Sequence, residues 1–256
     1  MKPDSHVIHS SVHGQFEKIF PPLNQPPSIV TIQTTDQPSG LVAGFASVQR
    51  GFRESSPRLG NRRDKMLYYQ LLTACDTSVY VDANVRPINS LAPIFEAFEA
   101  SGADIGMYRH YARSSVKEEA AACLARKKVD NPEALKVELA LYASAGFPDD
   151  QGMWEGSVIF RRHSSQRLTE AMNEWWDLYS RFQTRDQFSL PFVIWKHGLR
   201  VFDLDEHSPG REHYFVRLQH SEAGLKNRIA RYLQARAPEN RVWSTLHRLL
   251  SQLNPR

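Results

Sequence analysis

The sequence predicts an α/β fold, a mixed and mainly parallel sheet flanked by helices with a C-terminal helical tail. Three observations carry that expectation. The chain opens on short extended segments, HVIHSSV, SIVTIQTTD and AGFASVQ, separated by breaker-rich loops such as PPLNQPP. Its middle then switches between strand-like and helix-like periods, and one strand, helix, strand succession implies parallel strands joined by a crossover. Two amphipathic helical patterns close the chain.

In order, the first three segments read as strands. From Asn61 to Thr73 the period becomes helical, with Met66, Leu67, Leu71 and Leu72 on one face after the basic opening NRRDK. Ser78 to Asp82 alternates as a strand and stops at Asp82-Ala83-Asn84, before Pro87 forbids further ladder pairing. A helix from Ser90 to Ala100 carries Leu91, Ile94, Phe95 and Phe98 on one stripe and stops at Gly102, and ADIGMYR completes the βαβ unit. Ser115 to Ala145 reads as two helices broken at Asn131-Pro132, covering one edge of the site. Gly156 to Arg161 is extended, Ser165 to Phe182 helical with Leu168, Met172, Trp175, Trp176 and Tyr179 buried, Thr184 to Lys196 helical, and HGLRVFDL a short strand. The tail stripes are Leu225, Ile229, Tyr232 and Leu233, then Val242, Leu246, Leu249, Leu250 and Leu253, opposite mostly Arg and His247. These helices either pack on the domain or rest on an anionic membrane or a partner.

With 256 residues, 41% hydrophobic and 23% charged, the chain can bury a sizeable core and is neither disordered nor fibrous. Residues 1–205 are expected to form one catalytic domain, with 206–256 a helical extension packed on or beside it. The net charge of +4 is spread along the chain, which suits a phosphate-bearing small molecule or an anionic membrane surface; nucleic acid, which calls for a denser basic stripe, is not expected. Cys75 and Cys123 lack CxxC spacing and read as thiols of a reducing compartment. No segment approaches the roughly 18 apolar residues of a membrane span, and the opening MKPDSHVIHSSVHG has no apolar leader. The expected location is cytoplasmic, peripheral to the inner face of the membrane if the tail helices dock there.

The most informative chemistry lies in Tyr80-Val-Asp82-Ala-Asn84. An Asp at the carboxyl end of a parallel strand faces the crevice where α/β folds bind ligands, and an oxygen donor two residues on can reach the same Mg²⁺ or Mn²⁺ against a diphosphate. The alternative is an Asx turn that ends the strand. In Thr184-Arg-Asp186-Gln187, capping-box spacing competes with a carboxylate held at the site to accept a sugar hydroxyl or act as base. Glu155, between Trp154 and Gly156, can meet a sugar face and its hydroxyls together, or is an ordinary loop Glu. Arg62, Arg63 and Lys65 open a helix where positive charge opposes the dipole, so pyrophosphate binding explains them better than a solvated face does. His213 and His220 are candidate cation ligands from the C-terminal side, or exposed histidines; His6, His9 and His13 are not spaced to converge on one metal. Without HExxH, GxSxG, a Walker A loop or GxGxxG, the chain lacks the signatures of metalloproteases, α/β-hydrolases, P-loop enzymes and Rossmann dehydrogenases.

Taken in order, HVIHSSVHGQFEKIFPP, TTD at 34–36, NRRDKML at 61–67, YVDAN at 80–84, YRH at 108–110, KEEA at 117–120, WEGSVIFRRH at 154–163, NEWW at 173–176 and RDQFSLPFVIWK at 185–196 carry a resemblance. Over about residues 7–200 the chain resembles the glycosyltransferase-like domain family of the plant seed-mucilage and turgor-regulation proteins and their bacterial relatives. The resemblance implies a GT-A fold and transfer of a sugar from a nucleotide-sugar donor to a glycan, lipid or other hydroxyl acceptor. It implies Asp82 and Asn84 as a DxD-like pair, Arg63 and Lys65 near the diphosphate, and Glu155 and Asp186 near the acceptor. The expected cation set is Asp82, Asn84 and His220, for Mn²⁺ or Mg²⁺. Two departures stand out: Asn84 replaces the second carboxylate, and the segment between the first strand and NRRDK is short. The competing expectations are a sugar-nucleotide-binding module without turnover, favoured by Asn84, and a basic protein that uses its tail on lipid headgroups or nucleic acid.

Overall fold

A computed structural model describes residues 6–14, 19–38, 44–207, 210–218 and 224–253. Strands β1 (His6–Val12), β2 (Ile29–Thr35) and β3 (Ser47–Arg50) come first, then helix α1 (Pro57–Leu67), which tightens into a 3-10 turn over Tyr68–Leu71. Next come β4 (Thr77–Val81), β5 (Val85–Pro87), α2 (Ala92–Ser101), β6 (Ile105–Arg109), α3 (Val116–Ala125) and α4 (Pro132–Ser144). They are followed by β7 (Trp154–Arg162), α5 (Gln166–Phe182), α6 (Asp186–Lys196) and β8 (Val201–Asp203). The C-terminal part holds α7 (Leu204–His207), α8 (Arg211–Tyr214), β9 (Phe215–Arg217), α9 (Gly224–Arg236) and α10 (Arg241–Leu253).

The main sheet has the order β3-β2-β1-β4-β7-β6-β8. Only β7 among its described strands runs against the others, pairing antiparallel with β4 and with β6. The mixed, mainly parallel sheet expected from the sequence is therefore what the chain forms. The βαβ expectation needs one correction. β4 and β6 point the same way, as predicted, but they are not neighbours, because β7 lies between them. β7 is buried along most of its length, as a central strand covered on both faces must be.

Period-2 alternation assigns the faces. Tyr80 and Ile159 join Met66, Met172, Trp175 and Leu190 in the core beneath α1, α5 and α6. Val79, Val81 and Phe160 pack on the opposite face with Ile94, Phe95 and Phe98 of α2. Local signals set the helix ends: Ser115, Asn131 and Ser165 each accept a backbone N–H as N-caps, and Gly102 takes the left-handed conformation (φ 64°) that stops α2. α1 begins earlier than the periodicity suggested. Ser56 caps the amide of Leu59 and Pro57 supplies the first helical residue, so Arg62, Arg63 and Lys65 lie inside the helix and not in its first turn.

A polar knot ties α1 to the strands. The buried Asp64 carboxylate accepts from Ser11 Oγ at 2.9 Å, His13 Nε2 at 2.8 Å and the Phe52 amide at 2.7 Å. A Cβ on Gly51 would lie 2.1 Å from Asp64 Oδ2, and one on Gly60 would lie 2.5 Å from His13 Nδ1. The close approach therefore requires glycine at both positions. The three N-terminal histidines are engaged separately, His6 with Glu99, His9 with Thr34 and His13 with Asp64.

Residues of the 206–256 extension are tied to the body. β9 pairs with β5, the Leu218 amide donates to the Asn84 carbonyl at 2.7 Å, and Arg231 Nη2 donates to the Ala83 carbonyl at 3.1 Å. Arg86 reaches back to Glu239 at 3.0 Å. α9 thus packs on the domain through a buried Arg231 and Ala235.

Burial pushes His9 down from 6.5 to about 4, with Asp64 opposing and Arg161 adding to the shift. Burial and Arg161 do the same to His163, again to about 4. Between about pH 6.5 and 4 the unfolded chain therefore binds more protons than the folded one, and stability is expected to fall as pH falls through that window. Urea unfolding midpoints measured across the window check this, and His9→Gln should flatten the slope.

Candidate functional site

β4 ends at Val81, and Asp82 emerges at its carboxyl end with its amide donating to the Ser157 carbonyl of β7 at 2.9 Å. The Val85 amide closes a tight turn onto the Asp82 carbonyl at 2.8 Å, which places Asn84 in the same turn. Across from it, α1 presents Lys65, only 2% exposed. Its Nζ lies 2.7 Å from Asp186 Oδ2, at the first residue of α6, and 3.4 Å from Asp82 Oδ1. Arg62, one turn earlier on the same helical face, places Nε 3.3 Å from that Asp186 oxygen. A Cβ on Gly156 would lie 3.2 Å from Lys65 Nζ, so β7 leaves room for the ammonium by having no side chain there.

Burial alone would raise the Asp186 carboxyl, yet Arg62, Lys65 and Arg185 hold it well below the usual carboxylate range. Burial and the neighbouring Asp82 push the Tyr80 hydroxyl well above its ordinary value, and burial notwithstanding, Asp186 and Asp82 hold Arg62 above its own. Two cations, Arg62 and Lys65, thus meet two carboxylates, Asp82 and Asp186. Arg185 Nε is buried with no hydrogen-bond acceptor among the described residues. A buried N–H without an acceptor is suited to an anion.

The Thr184-Arg-Asp186-Gln187 segment does not form a capping box. Arg185 is the N-cap and makes no side-chain cap bond. Thr184 Oγ1 instead donates to the buried Glu138 at 2.5 Å, and the Gln187 amide clamps β7, donating to the Trp154 carbonyl and accepting from the Gly156 amide at 3.4 Å. Trp175 Nε1 donates to the Asp186 carbonyl at 2.8 Å. The segment is held by α4, α5 and β7 together, with the Asp186 carboxylate left facing Lys65 and Arg62.

Of the residues singled out from the sequence, Asp82, Lys65 and Asp186 come together, with Asn84 on the turn beside them. Arg63 does not join them. Its guanidinium pairs with Glu54 at 2.5 Å and lies over the rings of Phe52 and Trp176, because position 63 is a third of a helical turn from the face that carries 62 and 65. Arg62 takes the place expected of Arg63, and helical periodicity alone could have made that choice. Glu155 is also apart. Extra residues in β7, where the register with β6 shifts, turn Glu155 toward Tyr108 while Gly156 faces Lys65. Its carboxylate receives Arg211 and Arg217, each at 2.7 Å. His213 is exposed, edge-on to Tyr214, and His220 lies outside the described residues. Tyr80 and Arg185 complete the site without having been singled out for it; their sequence signal is adjacency to Asp82 and Asp186.

Among the described residues no three of His, Cys, Asp and Glu converge on a metal position. Asp82 and Asn84 offer two side-chain oxygens from one turn, with the Asp82 side chain 27% exposed. That donor set fits a Mg²⁺ or Mn²⁺ which completes its shell with phosphate and water oxygens, and falls short of a closed protein cage.

The chain is thus a mainly parallel α/β sheet with a buried charge cluster at the carboxyl end of β4. Residues 52–207 match the TOD1/MUCI70 glycosyltransferase-like domain, and the chain belongs to that family. A comparison with curated proteins gave no match. Among solved structures, mouse xyloside xylosyltransferase 1 in its apo form is similar at 11% identity and a TM-score of 0.44, over 78% of this chain and 85% of that one.

Lys65→Met is expected to lower stability by about 3 kcal/mol, because it leaves two carboxylates short of a buried partner. Arg63→Met, which breaks a partly exposed pair, should cost about 1 kcal/mol or less. Urea denaturation of the two variants measures the difference.

Proposed function

We propose that the chain transfers a sugar from a nucleotide-sugar donor to an acceptor hydroxyl. The observation that carries this reading is the Lys65 ammonium held between Asp82 and Asp186 at the carboxyl end of β4. Glycosyl transfer from such a donor releases a nucleoside diphosphate, so the charge to be stabilised grows on the leaving oxygens. Lys65 and Arg62 stand preorganised at that place, held by ion pairs before substrate arrives. A Mg²⁺ or Mn²⁺ on Asp82 and Asn84 would supply further neutralisation of the diphosphate.

Asp186 suits a different task from proton abstraction. A carboxylate kept ionised by two cations is a weak base, since general bases work best when their pKa lies near the working pH. It is well suited to accept a hydrogen bond from a donor-sugar hydroxyl and so to orient the anomeric carbon. Glu155, neutralised by Arg211 and Arg217, is likewise unsuited to proton abstraction and holds those two arginines in place.

Thermal-shift measurements with UDP, GDP, CMP and their sugars, with Mn²⁺ or with EDTA, test the reading. One nucleotide should stabilise the chain, and Mn²⁺ should enlarge the shift. Lys65→Met should lose the shift and Arg63→Met keep it. Asp186→Asn should keep nucleotide binding and lower turnover by on the order of a hundredfold, the range set by a single positioned group. Absence of stabilisation by every nucleotide would remove the basis of the proposal, and stabilisation without donor hydrolysis or transfer would make the chain a binding module.

A further inference from the structure

We infer that the α9–α10 helix pair is a docking surface for an anionic lipid bilayer. This does not rest on the transfer reaction. α9 uses one side, through Arg231 and Ala235, to pack on the body, and α10 packs on α9. The outer side of the pair is apolar and uncovered: Val242 is 67% exposed, Leu246 42% and Leu249 53%, at the spacing of one helical stripe, with Ile229 and Tyr232 of α9 also exposed. Trp243 turns the other way, against Tyr232 and the Arg236 guanidinium, which fixes α10 so that its stripe points outward.

Charge decides what covers this stripe. Arg228, Arg241 and Arg248 are exposed, and on α10 the two arginines lie together along one flank of the stripe. Glu239 is the one acidic residue in the 224–253 sequence, and Arg86 and Arg236 already hold it. A second copy packed stripe to stripe would bring these arginines near one another with no acidic partner to relieve them. An anionic bilayer takes both components, the leucines into the acyl boundary and the arginines among the headgroups. Neither helix is long and apolar enough to cross a membrane, so among the described residues the pair would lie on the surface. Because Arg231 of α9 donates to the Ala83 carbonyl, docking would hold the Asp82 turn close to the bilayer.

Co-sedimentation of the full chain with vesicles tests this, using phosphatidylcholine alone and an equimolar mixture with phosphatidylglycerol. The chain is expected to pellet with the mixed vesicles, to bind phosphatidylcholine on the order of tenfold less, and to be released by salt. Leu246→Asp with Leu249→Asp should abolish pelleting while the thermal melt stays cooperative. If that variant does not fold, Arg241→Glu with Arg248→Glu provides the second arm, with binding weakened and its salt dependence reduced. Wild-type chain that stays in the supernatant with mixed vesicles, or both variants pelleting like wild type, overturns the proposal. A dimer seen by sedimentation velocity and lost in the leucine variant also overturns it, since a second copy would then cover the stripe.

Discussion

The Lys65 ammonium sits almost fully out of water, and an isolated charge in that position would be strongly unfavourable. It is tolerated because two carboxylates reach it, Asp186 at 2.7 Å from the start of α6 and Asp82 at 3.4 Å from the end of β4. That requirement sets the local architecture. β4 must end where Asp82 can turn inward, α6 must begin where Asp186 points back, and β7 must pass between them without a side chain at Gly156. The Gln187 clamp on β7 and the Trp175 bond to the Asp186 carbonyl then fix α6 against α5 and the sheet. Buried ion pairs of this kind add little net stability compared with apolar packing, so a buried cluster of two cations and two carboxylates at a strand tip is better explained by what it binds than by what it holds together.

Helix α1 serves both ends of this arrangement. One face carries Gly60 and Asp64 to the ends of β1 and β3, where the carboxylate gathers Ser11, His13 and the Phe52 amide. Arg62 and Lys65 look toward α6, and Arg58, near the start, donates to the Thr184 carbonyl at 2.9 Å just before the Asp186 helix. The same Lys65 residue gives its carbonyl to the buried Arg161 of β7 at 2.7 Å. Displacing α1 would therefore disturb the polar knot at the strands and the charge cluster at the site together.

The helices, and the placing of Asp82 just past a strand tip, were legible because they depend on local signals: apolar period, Ser or Asn caps, and Gly102 at a left-handed stop. Three features were not legible, each for a physical reason. The insertion of β7 between β4 and β6 is a choice among long-range pairings that no local pattern encodes. The turn of Glu155 away from Gly156 comes from extra residues in β7 that break simple alternation. Arg63 was expected at the diphosphate because the resemblance implies it there, whereas within a helix Arg62, three residues before Lys65, shares the Lys65 face and Arg63 does not. The mixed, mainly parallel α/β class survived these local errors because it depends on the order of elements more than on their exact pairing.

The tail has a structural consequence for the site that is separate from what its outer face meets. In the turn after β4, the Asp82 carbonyl accepts from the Val85 amide, the Ala83 carbonyl from Arg231 and the Asn84 carbonyl from the Leu218 amide. Two of those three donors come from beyond residue 210, so the C-terminal extension, and not the sheet alone, fixes the backbone that carries Asp82 and Asn84. A turn with its carbonyls satisfied in this way does not need to rearrange when a charged ligand arrives, which is the condition for electrostatic stabilisation to act without reorganisation. The extension therefore belongs to the site it borders, and its removal would loosen the Asp82 turn even though none of its described residues supplies a charge that pairs with Lys65.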